Sequence, residues 1–280
     1  MKKNENMSFF EHIEELRERL TVSLAVFVVG FMLCYFWTNS WVMDFLRQPL
    51  FEILPEGEQK LYFTSLFENF LTHLKIAGYS ALFFLSPYFF FQIWKFIEPG
   101  LYEKEKKFLI PFVFAATIFF TLGAGFAYYV LFPIGFKFFV TFGFESDKAI
   151  LTIDSYYSTA LKLMLLFGMA FELPVLVVFF GYLGLIDAKF LRTHRRNAIL
   201  GITVACAMFA PPDAISMLML MAPLILFYEG AIVVVSMLGA KRKQRDEEEN
   251  EKQGAVDSLS EFSSKDGEDP WGTRSESDSE

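Results

Sequence analysis

The chain has 280 residues, of which 54% are hydrophobic and 18% aromatic, and its formal net charge is −8. Soluble domains are rarely this apolar, so the composition excludes an ordinary soluble globular protein. The charges are sorted along the chain, because long runs without ionisable residues alternate with short charged segments. About 20 apolar residues are enough for a helix to cross a bilayer, so this pattern predicts an all-α integral membrane protein.

The first predicted element is a charged amphipathic helix that leads directly into an apolar run. Ser8 and Glu11 have the spacing of a capping box, which predicts a helix start at Ser8. Apolar residues then recur at intervals of four, three and four, which places them on one helical face: Phe9, Ile13, Leu16 and Leu20. We assign residues 1–19 to a cytoplasmic N-terminal helix that lies along the lipid headgroups. A plain membrane anchor is the simpler interpretation of the same pattern.

Six apolar runs follow, and we interpret each as a transmembrane helix of one membrane domain over residues 20–240. The runs are 20–43, 76–94, 108–136, 163–186, 197–212 and 214–240. The fifth run has 16 residues, or about 24 Å of helix, which is shorter than the bilayer core. The sixth run reaches Glu229 after another 16 residues. This short pair predicts either a hairpin packed against longer helices or a locally thinned bilayer.

The orientation in the membrane follows from the Lys and Arg residues of the connecting segments. If alternate ends of the runs are assigned to one side, beginning with the N-terminus, that side holds sixteen Lys and Arg residues. The other side holds six. The bias predicts that both termini lie in the cytoplasm.

The last 40 residues, 241–280, are predicted to form a basic juxtamembrane segment and an acidic tail. From Asp246 to Glu280 the tail has 13 acidic and three basic residues. Such a composition is typical of disordered segments, so we expect a disordered tail. It is either a solvated appendage or a partner-binding segment.

Glu172 is the most unusual residue of the apolar runs, because it lies near the middle of the fourth one. A charged carboxylate at that depth costs several kcal/mol. Pro174 has no N–H to donate and leaves the Ala170 carbonyl without its helical partner, which predicts a kink. We expect Glu172 to face a water-filled concavity; the alternative is a neutral Glu that hydrogen-bonds to a neighbouring helix.

Carboxylates are also concentrated at two predicted junctions between cytoplasm and membrane. They are Glu11, Glu14, Glu15, Glu98, Glu103 and Glu105. Together they would form an acidic surface for a cationic ligand, and arginine suits it because its planar fork pairs with carboxylates bidentately. A solvated loop of mixed charge is the alternative. The sequence contains no phosphate-binding Gly-rich loop, nucleophile elbow or metal-ligand spacing, so we expect no cofactor, metal or nucleic-acid partner.

In combination, the motifs of residues 8–243 resemble the TatC family, the multispanning core subunit of the twin-arginine protein translocase. The matching segments are HIEELRERL (12–20), QPL (48–50), FIEPGLYEKEKK (96–107), FAYYVLFPIGFKF (126–138), FGMAFELPV (167–175), RRN (195–197) and APPD (210–213). The loop departs from the usual pattern, since Lys106 and Lys107 stand where arginines are common. The acidic tail lies outside the resemblance.

The resemblance implies a concave bundle of six helices that receives folded cargo through a signal peptide with consecutive arginines. Glu15 and Glu105 would pair with the two arginines on the cytoplasmic face. The rest of that surface would comprise Phe96, Arg17, Arg19, Leu16, Glu98 and Tyr102. Glu172 would lie on the concave face within the membrane, and Pro49 would support that face from the other side. Structural or translocation roles are expected for Pro174, Asp213 and Glu229.

The resemblance also implies partners and an energy source. The short fifth and sixth helices would dock single-span TatA-like and TatB-like subunits, and several copies of the chain would assemble in the complex. Transport would use the proton-motive force across a bacterial cytoplasmic membrane. The leading hypothesis is therefore a receptor and scaffold rather than an enzyme. The alternatives are a proton-coupled small-molecule transporter with Glu172 as proton carrier, and a purely structural assembly factor.

Overall fold

The computed structural model describes residues 9–55, 59–101, 106–141, 150–209 and 213–265. Within these ranges the elements are helical, apart from an isolated bridge between Tyr62 and Thr152. The α-helices are α1 (Phe9–Leu33), α2 (Asn39–Phe51), α3 (Glu68–Phe84), α4 (Ser86–Ile97), α5 (Leu109–Phe126), α6 (Phe132–Thr141), α7 (Ile153–Ala170), α8 (Leu173–Tyr182), α9 (Ala188–Thr193), α10 (Arg195–Phe209) and α11 (Ala214–Lys265). Short π-helices, Cys34–Thr38 and Ala127–Leu131, join α1 to α2 and α5 to α6.

Four helical stretches of the described residues are long and apolar enough to cross a membrane. They are Phe10–Trp37, Leu109–Val140, Ile153–Tyr182 and Ala214–Ala240. A fifth candidate is the pair α3 and α4, which is bent by 55°. α10 covers most of the predicted fifth run but has only 15 residues. The all-helical membrane architecture is thus confirmed, while the count of six spans stays a prediction.

The N-terminal charged segment is continuous with the first span. α1 runs from Phe9 to Leu33 without a break, so the boundary predicted at residue 19 does not coincide with a helix end. The predicted start at Ser8 lies outside the described residues. Residues 9–29 contain neither Gly nor Pro, and Leu, Glu and Arg are strong helix formers. Nothing in the local sequence therefore ends the helix between its charged and apolar parts.

α5 and α7 pack against each other with backbone in contact. A Cβ at Gly123 would lie 2.9 Å from the Phe167 carbonyl carbon and 2.9 Å from Phe171 Cβ. On the facing side, a Cβ at Gly168 would lie 2.8 Å from the ring of Phe120. Small residues at helix interfaces allow this close approach, which is the usual packing mode in membranes. α7 also packs along α3, and α8 packs along α11.

Two proline-associated breaks interrupt the helices of the candidate spans. α3 ends at Phe84 and α4 begins at Ser86, and Pro87 cannot donate to the Phe83 carbonyl. The Ser86 hydroxyl donates to that carbonyl instead, at 2.8 Å. At Pro174, where a kink is predicted, the helix is interrupted, because α7 ends at Ala170 and α8 begins at Leu173.

α2 is held by a third proline-associated arrangement. Pro49 lies inside α2 and has no N–H for the Phe45 carbonyl. The Tyr128 hydroxyl donates to that oxygen at 2.8 Å, and the two rings stack with centroids 4.2 Å apart. Tyr156 and Tyr157 on α7 donate to two further α2 carbonyls, those of Leu46 at 2.5 Å and Met43 at 3.1 Å. We call α2 and these three tyrosines the α2 clasp.

The basic juxtamembrane segment and the first part of the tail continue the last helix, while the disorder of the acidic tail stays a prediction. α11 continues from the membrane run to Lys265, and residues 266–280 lie outside the described residues. Lys, Arg, Glu and Gln dominate residues 241–253, and all four are strong helix formers. Extending an existing helix avoids the cost of nucleation, so the charged segment prolongs α11.

Candidate functional site

Glu15 lies on the face of α1 that contacts α4, and a guanidinium group already occupies one of its oxygens. Arg19, one turn later, donates from Nε to Glu15 Oε1 at 2.9 Å and from Nη2 to the same oxygen. The two side chains are only 16% and 19% exposed. An ion pair so shielded from water is stronger than a pair on an open surface.

α4 holds the Arg19 side chain in place. Arg19 Nη1 donates to Gln92 Oε1 at 3.2 Å, and Gln92 Nε2 donates to the Tyr88 hydroxyl at 2.7 Å. Arg19 therefore makes hydrogen bonds on two helices. Because Arg19 is fixed on both sides, the orientation of the Glu15 carboxylate is fixed as well.

The second oxygen of Glu15 has a different environment. Oε2 is buried and has no hydrogen-bond partner among the described residues. His12 Nδ1 lies 3.6 Å from it, which is longer than a hydrogen bond. The His12 ring stacks on Phe96 of α4, with centroids 4.3 Å apart and planes 10° apart. We call Glu15, Arg19, His12, Gln92 and Phe96 the Glu15 lip.

The structure brings together three predicted site residues, Glu15, Arg19 and Phe96. Arg17 is exposed, and two residues of helix turn it about 200° from Arg19, so it does not join the lip. Leu16 is 46% exposed. Glu98 is half-buried in the 3₁₀ turn that follows α4. Glu105 and Tyr102 lie outside the described residues.

Sequence reasoning missed two members of the lip, His12 and Gln92. Helical spacing carried part of the signal, since His12, Glu15 and Arg19 follow each other at intervals of three and four. Gln92 and Phe96 are likewise four apart on α4. No local pattern indicated that these two stripes face each other.

Glu172 lies at the break between α7 and α8. Its side chain is half-buried, and Oε1 is buried without a hydrogen-bond partner among the described residues. Its backbone N–H donates to the Met169 carbonyl at 3.1 Å. The break thus places a carboxyl group inside a candidate span.

The remaining predicted site residues make structural contacts near α11. Asp213 caps this helix, because its Oδ1 accepts from the Ser216 backbone N–H at 2.6 Å. Glu229 accepts from Arg195 Nη2 at 2.8 Å and ties α11 to the start of α10. Among the residues that the structure describes, no group of three or more His, Cys, Asp or Glu could hold a metal ion.

Comparison with known proteins identifies the family. The family described as "Sec-independent protein translocase protein (TatC)" matches residues 11–223. The TatC protein of Desulforapulum autotrophicum is 38% identical over 248 residues, which cover 89% of this chain and 91% of that protein. The TatC protein of Campylobacter jejuni is 39% identical over 239 residues, 85% of this chain and 97% of that protein.

A solved structure agrees over most of the fold. It is described as "Crystal Structure of Twin Arginine Translocase Receptor- TatC" and matches with a TM-score of 0.70 at 32% identity. The match covers 82% of this chain and 100% of that one. The chain therefore belongs to the TatC family and is a multi-pass membrane component of a protein translocase.

Proposed function

We propose that this chain is the signal-peptide receptor and core scaffold of a twin-arginine translocase, with Glu15 as a binding carboxylate for a signal arginine. The observation that carries this proposal is the state of the Glu15 carboxylate. One oxygen binds a guanidinium within the chain, and the other is buried without a hydrogen-bond partner among the described residues. A carboxylate that already binds one guanidinium has the right chemistry for a second.

Burial increases what such a contact contributes. Hydrogen bonds between ionised groups are about twice as strong as neutral ones. Glu15 is 16% exposed, so its contacts are less weakened by solvent than those of an open surface pair, which contribute about 0–1 kcal/mol. We further propose that Glu105 binds the neighbouring arginine.

Family membership and the charge pattern support a proposal for the wider arrangement. We place both termini in the cytoplasm of a bacterium, with six spans in its cytoplasmic membrane forming a concave face that receives the apolar part of the signal. α10 and the first part of α11 would dock TatA-like and TatB-like single-span subunits. α10, with 15 residues, is shorter than the bilayer core, which supports a thinned membrane at this position. The proton-motive force would drive transport through a complex with several copies of the chain.

The receptor proposal is tested by measuring the binding of a fluorescent signal peptide to the purified protein in nanodiscs. Replacing Glu15 by Gln keeps its size and removes its charge. We expect at least a tenfold weaker binding of a twin-arginine peptide, which corresponds to about 1.4 kcal/mol. Glu14→Gln is the matched control, because Glu14 is exposed and neighbours Glu15 in the chain; it should change binding less than twofold. Equal binding by the two variants would contradict the proposal.

Glu172 supports a second candidate, a proton-coupled small-molecule transporter. A carboxyl group inside a span is expected to serve a proton or ion pathway by default. In proteoliposomes with a pH gradient, this alternative predicts proton uptake by the chain alone, abolished by Glu172→Gln. The receptor proposal predicts no such uptake, and a twin-arginine peptide that binds Glu172→Gln within twofold of the unmodified protein.

A further inference from the structure

The two oxygens of Glu15 differ in their hydrogen bonds, because Arg19 donates to only one of them. A guanidinium group commonly pairs with both oxygens of a carboxylate. Here Nε and Nη2 of Arg19 both donate to Oε1. Oε2 is left buried and without a hydrogen-bond partner among the described residues. Unpaired buried oxygens are rare because they are costly, so this one calls for a donor.

The group that covers Oε2 is the imidazole of His12. Its Nδ1 is 3.6 Å away, so the ring fills the space beside the oxygen without bonding to it. The ring lies flat on Phe96, with planes 10° apart. The space beside Oε2 therefore has the shape of a flat group stacked on an aromatic face. A guanidinium is flat, stacks on aromatic rings and carries donors at its edge, whereas a lysine ammonium has no plane to stack.

We propose that, in the absence of a signal peptide, the His12 imidazole occupies the position that a signal arginine takes on binding. When the peptide binds, its guanidinium takes the position of the imidazole on Phe96 and donates to Glu15 Oε2. Arg19 stays on Oε1 and acts as a positioning residue. Phe96 then favours arginine over lysine. This inference rests on the proposed receptor function and adds the location of the arginine and the group that it displaces.

His12 rather than Arg19 is the group that leaves, because the two are held differently. Arg19 has two hydrogen bonds to Glu15 and one to Gln92, and it is 19% exposed. Within the lip, His12 is held by its stacking contact, and its side chain is 39% exposed. The imidazole can therefore swing into water at a smaller cost than the guanidinium of Arg19.

The test measures peptide affinity in His12 variants of the full chain in nanodiscs. His12→Ala removes the occupant, and we expect a twin-arginine peptide to bind roughly three- to tenfold more tightly, since the competent state no longer has to be opened. His12→Phe keeps a flat ring on Phe96 and should bind no more tightly than the unmodified protein. Unchanged or weaker binding by His12→Ala would overturn the proposal, as would tighter binding by His12→Phe.

Substitution of Arg19 provides a second test, in which we expect peptide affinity to fall rather than rise. If Arg19 were the displaced group, Arg19→Gln would tighten peptide binding. As a positioning residue it should weaken binding when changed to Gln, with partial recovery in Arg19→Lys, which keeps a cationic donor for Oε1. Tighter binding by Arg19→Gln would overturn the assignment.

Phe96→Leu tests the origin of selectivity. It removes the stacking face and should reduce the preference for a twin-arginine over a twin-lysine peptide. An unchanged preference would overturn the role of Phe96.

The Glu15→Gln variant separates this inference from the receptor proposal. If Glu15→Gln loses binding while His12→Ala does not tighten it, the receptor function stands and the displacement of His12 is wrong. If Glu15→Gln binds normally, the receptor proposal fails first. The melting temperature of each variant, followed through tryptophan fluorescence, checks that its fold is intact.

Discussion

The α2 clasp and the Glu15 lip differ in whether their buried oxygen atoms have hydrogen-bond donors. In the clasp, Pro49 deprives the Phe45 carbonyl of its helical donor, and Tyr128 supplies another from 83 residues away. In the lip, Oε2 of Glu15 stays without a partner among the described residues. The three tyrosine hydroxyls of the clasp are engaged with α2, whereas the lip has an acceptor free for the proposed ligand.

Because of this difference, we expect substitutions in the two regions to affect different properties, stability in the clasp and peptide binding in the lip. Tyr128 of the clasp is 5% exposed, and removing its hydroxyl leaves the Phe45 carbonyl short of a donor. Such a loss costs about 1–3 kcal/mol. In the lip, Glu15→Gln removes the charge at the oxygen without a partner, and its amide oxygen can still accept from Arg19. Variants of the clasp should therefore lower the melting temperature, and variants of the lip should mainly change peptide affinity.

The largest loss of stability is expected at Gly123, where α5 and α7 bring the clasp tyrosines toward α2. A methyl group there would meet the Phe167 carbonyl oxygen and lie 2.9 Å from Phe171 Cβ. Backbone cannot move aside as a flexible side chain can, so Gly123→Ala should destabilise the fold by about 3 kcal/mol, the upper part of the range for overpacking. The measurement is thermal unfolding in detergent, monitored by tryptophan fluorescence, to which the buried Trp94 contributes.

Gly125 provides the control in the same helix. No atom lies within 4 Å of a Cβ placed there. Alanine in a helix is favoured over glycine by about 1 kcal/mol, so Gly125→Ala should leave stability unchanged or raise it. Similar melting temperatures for Gly123→Ala and Gly125→Ala would contradict the close backbone contact between α5 and α7.

A smaller loss is expected from Tyr128→Phe. The phenyl ring can keep the stack on Phe45, but the carbonyl that Pro49 leaves unpaired loses its donor. We expect a destabilisation of about 1–3 kcal/mol. Tyr129→Phe is the matched control, because its side chain is 71% exposed, and it should be neutral. If Tyr128→Phe were also neutral, the clasp would owe its stability to ring packing alone.

Tyr128→Phe should leave peptide binding to the lip within twofold. This second measurement is made on the same preparation in nanodiscs. If Tyr128→Phe lost peptide binding but kept its stability, the expectation that the clasp affects only stability would be wrong.

Local features of the fold could be predicted from the sequence, and distant pairings could not. The membrane helices and the break at Pro174 follow from runs of apolar residues and from the missing N–H of proline. The pair of Glu15 and Arg19 is four residues apart, so helical spacing already placed the two side chains together. The stack of His12 on Phe96 and the bond from Tyr128 to Phe45 join residues about 80 positions apart, which no periodicity relates.

The tail and the N-terminal segment show that composition alone does not determine where a helix ends. The charge of these segments predicts an interfacial helix and a disordered tail that are separate from the membrane helices. In the described residues, 9–19 continue into the apolar part of α1, and 241–265 continue α11. Composition indicates what is solvated, but helix propagation depends on the neighbouring residues.

The smallest effect on stability is expected for the ion pair of Arg195 and Glu229, which is more exposed than the contacts of the clasp and the lip. Their contact is 2.8 Å long, but the side chains are 48% and 41% exposed. Water and salt weaken such a pair, so a double-mutant cycle with Arg195→Gln and Glu229→Gln should give a coupling of about 0–1 kcal/mol. The coupling is measured from unfolding in mixed micelles at low and high salt, and it should shrink as salt rises. Arg196→Gln, beside it and exposed, should show no coupling to Glu229. A coupling above about 2 kcal/mol that ignores salt would place this pair with the buried contacts of the lip, because only exclusion from water would make it that strong.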